Sequence, residues 1–330
     1  NVLVCGGAGY VGSHVLEPLK AAGFSPVVLD NLSYGHRAAV RDIPLVQGDI
    51  RDRAATAALL RERAIDAVFH FCAFINVGES VEEPEKYYFN NVVGTLELLA
   101  AMREAGVNRF VFSSTCAIYG EPQYVPMDEA HPTGPINPYG QTKLDIERAL
   151  ESYRKAYGLS YAALRYFNAS GASPEGDIGE DHDPETHLIP LVMKTALGQR
   201  PALKVFGDDY DTRDGTAERD YIHVEDLAAA HILALGKLEE PGTGLHYNLG
   251  RGEGYTVLEI IEHARKITGR EIPFDKVPRR PGDAPKLVSA SARANSELGW
   301  RPKHDLDSIL QSAWRWHSTH PEGFGDCHAP

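Results

Sequence analysis

The sequence predicts an α/β protein: a doubly wound parallel sheet followed by a smaller α/β unit. Three observations predict it. From residue 2 to about residue 167, short apolar segments of strand length alternate with amphipathic segments of helix length. Such alternation implies parallel pairing with helices covering both faces. The first apolar segment runs directly into a glycine-rich turn and then a helix pattern. Polar, chemistry-bearing residues recur just where the apolar segments end, which is where sheets of this class bind ligands.

Val2-Leu3-Val4-Cys5 reads as a buried strand, and Gly6-Gly7-Ala8-Gly9-Tyr10-Val11-Gly12 follows it, with a helix pattern through residue 22. Glycines at 6, 9 and 12 permit a tight turn and let a pyrophosphate approach the N–H groups at the helix start, the fingerprint of a Rossmann-type dinucleotide site. The second strand, 26–29, ends at Asp30, 18 residues after Gly12, with Asn31 next. An acidic residue there suits ribose hydroxyls and repels a 2′-phosphate, so NAD is expected rather than NADP. Strand 44–47 leads to Gly48-Asp49-Ile50, and a helix is expected over 54–63. Strand 67–71 ends at Phe71, and a long helix is expected from about 85 to 105. His70, inside an apolar run, reads as a packed core histidine. Asn90 and Asn91 lie mid-helix, where Asn is unfavourable, so one of them is expected to have a structural or cofactor-contacting role. Strand 109–112 runs into Ser113-Ser114-Thr115.

The stretch 112–143 carries the chemistry. After a Pro-rich loop comes Tyr139-Gly140-Gln141-Thr142-Lys143. A tyrosine and a lysine four residues apart share one helix face. A free phenol has a pKa of about 10, and a base working near pH 7 needs about 4 kcal/mol of help. One cation at about 4 Å, at an effective dielectric near 20, supplies roughly that much. With a nearby hydroxyl such as Thr115, the pair is able to move a proton on and off an alcohol oxygen.

Composition limits the function classes. A net charge of −13 with no offsetting basic block argues against nucleic acid or anionic membranes as partners. No apolar run approaches the roughly 20 residues of a membrane-spanning helix. The chain opens on a strand-like segment, so no signal peptide is expected. Cys5, Cys72, Cys116 and Cys327 are scattered without a Cys-x-x-Cys pair, which suits a reducing, cytoplasmic location. The polar loop 169–187 carries Glu180, Asp181, His182, Asp183 and His187. It lacks a helical His pair, so no metal is expected.

These motifs, taken in order, resemble the extended short-chain dehydrogenases/reductases. Asn31-Leu32, Val77-Gly78-Glu79-Ser80, Asn90-Asn91-Val92, Leu164-Arg165-Tyr166-Phe167-Asn168, Glu218-Arg219-Asp220-Tyr221-Ile222-His223-Val224 and Arg279-Arg280-Pro281-Gly282-Asp283 are similar to those of the UDP-glucose (UDP-galactose) 4-epimerase family. The resemblance spans nearly the whole chain. It implies that Tyr139 takes the proton of the sugar 4-hydroxyl while NAD holds the hydride from carbon 4. Thr115 would hydrogen-bond the sugar oxygen, and Lys143 would bind the nicotinamide ribose. The cofactor set it implies is Gly6, Gly9, Tyr10, Val11, Gly12, Asp30, Asn31, Asp49, Ile50, Phe71, Ala73, Asn90, Ser113, Tyr139, Lys143 and Tyr166. For the UDP-sugar it implies Asn168, His187, Leu188, Lys204, Val205, Phe206, Arg219, Tyr221, Arg280, Asp283 and Leu287. Arg219 and Arg280 are the cations assigned to the two phosphates, since arginine's fork suits phosphate oxygens.

There are departures and rivals. Ile75 stands where several members carry a Lys that contacts a cofactor ribose. A nucleotide-sugar dehydratase needs an acid–base pair directly after the Thr, and here that place holds Cys116-Ala117, which cannot move those protons. A reductase would exchange its cofactor with solvent, which sequence alone leaves open. Leu287 stands where hexose-restricted members carry Tyr, so tolerance of an N-acetyl group is expected, and Ser114-Thr115-Cys116 also occurs in relatives that act on UDP-pentoses. A homodimer is expected from the family, through helices near 85–105 and 137–157. The division expected is an NAD-binding unit over 1–167 and a nucleotide-sugar unit over 168–330. Segments around 221–250, including strands near His223 and Tyr247-Asn248, are expected to return to the first sheet.

Overall fold

The computed structural model describes residues 1–280 and 283–325; Cys327 and the Pro281-Gly282 pair lie outside the described residues. In chain order the first unit contains β1 (Val2–Cys5), α1 (Tyr10–Ala21), β2 (Pro26–Asp30), β3 (Leu45–Gln47), α2 (Arg53–Glu62) and β4 (Ala67–His70). It continues with α3 (Val77–Glu82), α4 (Pro84–Tyr87), α5 (Gly94–Ala105), β5 (Arg109–Thr115), α6 (Pro138–Tyr157) and β6 (Ser160–Tyr166). Then come β7 (Asn168–Ser170), α7 (Leu188–Ala196), β8 (Leu203–Phe206), β9 (Glu218–His223), α8 (Val224–Leu235) and β10 (Gly244–Leu249). The chain ends with β11 (Gly254–Thr256), α9 (Val257–Thr268), β12 (Phe274–Val277), β13 (Lys286–Leu287) and α10 (Leu306–Thr319).

Seven strands pair in parallel in the order β10-β6-β5-β4-β1-β2-β3. This is the doubly wound arrangement expected. The winding reverses between β1 and β4, so a crevice opens beyond their carboxyl ends. The strands are buried on both faces, and their side chains divide by a period of two. Val4, Phe69, Val111 and Leu164 pack with Val15, Leu19 and Leu227 of α1 and α8. Leu3, Val68, Phe110 and Phe112 pack with Leu60, Leu98, Ile146 and Leu150 of α2, α5 and α6. A third core joins α7, α9 and α10 to β8 and β9.

Three local features depart from the sequence expectation. The helix expected over 85–105 is broken by a π-helical turn, Tyr88–Val93, between α4 and α5. The cause is Asn91, which is fully buried: its amide bonds the backbone of Phe74 at 2.9 and 3.1 Å and Thr142 Oγ1 at 3.2 Å. Helix α3, which the motif at 77–80 did not announce, is capped by Asn76, whose Oδ1 accepts from Glu79 N–H at 3.1 Å. Segment 244–249 does join the main sheet, but the strand ending at His223 does not. That strand, β9, pairs with β7, β11 and β13 in a smaller sheet, because β7 leaves β6 immediately and carries the pairing across. Among the described residues, no helix is long and apolar enough to cross a membrane.

Candidate active site

The glycine turn is shaped by close backbone contacts. Gly6 has φ of +78°, and a Cβ at Gly12 would fall 2.2 Å from the Gly6 carbonyl oxygen. Only glycine lets α1 start this near β1. Gly9 caps α1 with no side-chain acceptor, so the N–H groups of Tyr10, Val11 and Gly12 have no intrahelical partner. Asp30 sits against this turn: its carboxylate accepts from Ala8 N–H and Leu32 N–H, both at 2.9 Å. Burial raises its pKa. Asn31 Nδ2 donates to Asp49 at 3.2 Å, and Arg51 forks onto Asp49 at 2.8 and 2.5 Å. Those hydrogen bonds hold the Asp49 carboxyl down to about 2. Sequence reasoning missed Arg51. Ile50 is buried beside Gly94, where a Cβ would meet its Cδ1 at 3.1 Å.

Strand β5 aims its terminal residues by alternation. Ser114 turns away from the cleft and donates to Glu147 Oε1 at 2.6 Å. Glu147 pairs with Arg165 at 2.7 Å, and Arg165 donates to the Tyr119 hydroxyl at 2.9 Å. Thr115 turns the other way, toward Tyr139, and its hydroxyl lowers the pKa of that phenol. Helix α6 brings Tyr139 there. Its first turn is capped by Asn137, which accepts from Gly140 N–H at 2.8 Å. A Cβ at Gly140 would lie 2.6 Å from the Ala117 carbonyl, so glycine permits the approach that sets Tyr139 beside Thr115. One turn on, Lys143 is buried, donates to the Ser113 carbonyl at 2.7 Å and lies 4.9 Å from the Phe112 ring centre.

The electrostatics correct one expectation. Lys143 was expected to depress the phenol. Burial governs both groups: Tyr139 is pushed up to about 12 and Lys143 down to about 7. The hydroxyl of Thr115, not the ammonium, is what eases the phenol. Desolvation penalises each charged form, and the lysine's nitrogen is committed to Ser113.

Around this centre, the Phe71 ring centre lies 4.9 Å from that of His231 at an interplanar angle of 41°, and Tyr166 commits its hydroxyl to His231 Nε2. Tyr166 therefore offers the cleft its ring and backbone, not its phenol. Of the two asparagines, Asn91 is the structural one, and Asn90 is partly exposed, donating to Asn91 Oδ1 at 3.0 Å. Ala73 lies partly exposed in the loop after β4, next to the Phe74 that Asn91 anchors; Ile75, two residues on, is also exposed. His70 is a core residue as expected, bonded to Thr95 Oγ1 at 2.8 Å and pushed down to about 3 by burial.

On the facing side, Arg219, Arg280 and Asp283 come together. Asp283 receives Arg280 at 3.0 and 3.1 Å and Arg219 at 3.5 Å. Arg280 also lies 5.6 Å from the Phe206 ring centre. Leu287 of β13 is in register with Arg219 of β9 and packs against the cluster of Cys116, Ile118, Leu144 and Phe167. Two expectations fail here. Alternation along β8 leaves Lys204 and Phe206 outward but buries Val205 to 1% exposure in the third core. Tyr221 is likewise a core residue of that cluster, because β9 turns it inward. Asn168 Nδ2 donates to the Asp220 carbonyl at 3.0 Å. Asp220, which sequence reasoning passed over between two named residues, is fully buried and accepts from Arg251, Gly252 and Ser289 N–H at 2.8–3.1 Å. His187 points its Nδ1 at Glu180, 2.6 Å away, and Leu188 begins α7 against the third core.

Known proteins place this geometry. A profile of the NAD dependent epimerase/dehydratase family matches residues 2–250. The chain is 50% identical over 328 residues to the UDP-glucose 4-epimerase of Lacticaseibacillus casei, covering 99% of each. It superposes with TM-score 0.95 on the UDP-glucose-4-epimerase of Stenotrophomonas maltophila, solved with bound NAD and formylated UDP-arabinopyranose (42% identity; 98% and 99% covered). With the UDP-glucose 4-epimerase from Brucella ovis in complex with NAD the TM-score is 0.93 (51% identity; 95% and 97% covered). Fold and sequence thus agree: the chain belongs to the NAD dependent epimerase/dehydratase family, among its UDP-glucose 4-epimerases.

Proposed function

We propose that this chain inverts carbon 4 of a UDP-sugar, interconverting UDP-glucose and UDP-galactose, with NAD resident in the crevice. The observation that carries the reading is the convergence of Thr115, Tyr139 and Lys143 at the end of β5, beside the crevice that the glycine turn enters. The cradle suits NAD: no side chain stands where a pyrophosphate would meet the α1 N–H groups, and the Asp30 carboxylate is already aimed at the turn. Gly6, Gly9, Tyr10, Val11, Gly12, Asp30, Asn31, Asp49 and Ile50 would hold the adenosine half. Phe71, Ala73, Asn90, Ser113, Lys143 and Tyr166 would hold the nicotinamide half. When bound, NAD accepts a hydride from carbon 4 and gives it back on the other face.

The chain's own residues do the rest. Tyr139 takes the proton from oxygen 4 and returns it, and Thr115 fixes the phenol and the sugar oxygen in line. Arg219 and Arg280 neutralise the two phosphates that a −13 chain would otherwise repel. Asp283, held by both arginines, is placed for the uridine ribose, while Asn168, Lys204, Phe206, His187 and Leu188 border the nucleotide. Leu287, beside Arg219, leaves room for an N-acetyl group, so UDP-N-acetylhexosamines are a second substrate class. Dehydration is not supported: Cys116 is buried, with its thiol pushed up to about 12. We also assign a homodimer, formed through the helices near 85–105 and 137–157, which carry exposed apolar side chains such as Phe89 (53% exposed) and Tyr157 (58%). Covering them removes apolar surface from water.

The test is conversion of UDP-galactose to UDP-glucose, followed by NMR without added electron acceptor. Epimer exchange without lasting NADH absorbance is expected, and Tyr139→Phe should lower turnover by about 10²–10⁴-fold while NAD stays bound. Stoichiometric accumulation of NADH with oxidised sugar would overturn the reading in favour of a dehydrogenase.

A further inference from the structure

The loop between β7 and α7 gathers four metal-ligating side chains, of which the proposed reaction uses only His187, at the border of the nucleotide. Glu180, His182, Glu185 and His187 each present one donor atom, and these atoms all lie within 4.8 Å of one another. His187 Nδ1 is 2.6 Å from Glu180 Oε1; His182 Nδ1 is 3.3 Å from the same oxygen and 3.8 Å from Glu185 Oε2. A tetrahedral centre with bonds of about 2.0–2.1 Å separates its ligand atoms by about 3.3 Å. The spacings here run from 2.6 Å to at most 4.8 Å, so the wider pairs would close on the ion.

Close contact alone would fit a cluster of ion pairs. The orientation of the groups separates the two cases. Glu180 Oε1, His182 Nδ1 and Glu185 Oε2 are buried, yet none has a hydrogen-bond partner of acceptable geometry. The Glu180 side chain is only 4% exposed. Buried polar atoms in folded proteins are almost always hydrogen-bonded, and the ones that are not need an explanation. The carboxylates are also held from behind. Glu185 Oε1 accepts from Thr186 N–H at 2.7 Å and His187 N–H at 2.8 Å, which leaves Oε2 for the cluster. The backbone carbonyl of Glu180 accepts from Trp316 Nε1 at 3.2 Å. Support of this kind orients ligands in metal sites. The sequence expectation of no metal rested on the lack of a helical His pair, and the loop brings three of those donors, Glu180, His182 and His187, together with Glu185 without one.

We propose that Glu180, His182, Glu185 and His187 bind one divalent transition-metal ion, with zinc the best fit, through two imidazole nitrogens and two carboxylate oxygens. Two imidazoles disfavour magnesium and calcium, which take all-oxygen shells. Four protein ligands make a closed, structural centre, not a catalytic one with an open position. Its place in the fold gives it a purpose. The same loop touches the segment around the glycine turn where Tyr10 donates to the Gly171 carbonyl at 2.7 Å, and where His36 Nε2 lies 3.0 Å from the Asp181 carbonyl. It then runs directly into α7. The ion would staple the loop that joins the cofactor turn to the start of α7.

The full chain, with its NAD, is stripped with a chelator, dialysed and titrated with Co²⁺ and then Zn²⁺. One Co²⁺ per chain with the visible absorption of a tetrahedral site is expected, displaced by Zn²⁺ and not by Mg²⁺. Zn²⁺ should also raise the thermal midpoint, as any ligand of the native state does. His182→Ala and, as a shape-conserving control, Glu180→Gln should each weaken Co²⁺ affinity by at least about tenfold and remove the Zn²⁺-dependent rise in midpoint. Circular dichroism and retained NAD report whether each variant folds. No uptake by the folded wild type, or uptake unchanged in either folded variant, overturns the proposal. Neither readout depends on turnover, so the result is independent of the sugar chemistry.

Discussion

Replacing Lys143 by methionine should make the ligand-free protein more stable near neutral pH while removing its turnover. The reason is burial. Lys143 is 2% exposed, and desolvation brings its ammonium from the usual 10.5 to about 7. That displacement corresponds to about 5 kcal/mol held against folding whenever both states carry the proton. Methionine has similar length and no charge to desolvate. It loses the hydrogen bond to the Ser113 carbonyl at 2.7 Å, a cost of about 1–2 kcal/mol. Burial wins, and a net gain of about 3 kcal/mol is expected at about pH 6. The sign with pH follows from proton counting. Below pH 7 the folded and unfolded lysines are both protonated, and the full penalty applies. Between pH 7 and 10.5 the unfolded chain binds the extra proton, so wild-type stability climbs with pH, and the advantage of the variant shrinks and then reverses into a deficit of about 1–2 kcal/mol from the lost hydrogen bond. Urea unfolding of the NAD-free proteins, read by tryptophan fluorescence at several pH values, measures the difference. Parallel pH profiles for the two proteins, or a variant less stable at low pH, would refute the burial argument.

Three further outcomes are expected. Glu147→Ala should destabilise by about 3–5 kcal/mol in urea, because it leaves the Arg165 guanidinium buried without its carboxylate; a loss under 1 kcal/mol would mean that water reaches the site. Arg280→Ala should weaken UDP binding by about tenfold or more in calorimetry, since an arginine–phosphate hydrogen bond is worth about 1.5–3 kcal/mol. The bound NAD should be untouched, and an unchanged UDP affinity would remove Arg280 from the site. Leu287→Tyr should cut turnover of UDP-N-acetylglucosamine by about tenfold or more relative to UDP-glucose, as added bulk in a pocket costs about 1–3 kcal/mol; equal loss for both sugars would show that the position does not gate the acyl group.

Much of the site was legible in sequence because its signals are local. A glycine turn between a strand and a helix, an aspartate ending the next strand, and a Tyr and Lys one turn apart each specify their own geometry over a few residues. The period-two pattern likewise settles which side chains of β5 face the cleft. Errors arose where the outcome depended on residues far apart in the chain. Asn91 breaks its helix because Phe74 and Thr142 arrive to bond it. Val205 and Tyr221 turn inward because α7, α9 and α10 cover those faces. The strand ending at His223 joins the smaller sheet because β7 meets it first.

By itself, then, the sequence determined the doubly wound sheet, the dinucleotide turn and the placing of Tyr139 and Lys143 on one helix face, since periodicity and turn chemistry act between near neighbours. Only the tertiary structure decided the charge states in the cleft, where desolvation by surrounding elements outweighs the Tyr–Lys spacing, and the meeting of Glu180, His182, Glu185 and His187, which a loop of irregular backbone folds to one point and no repeat announces.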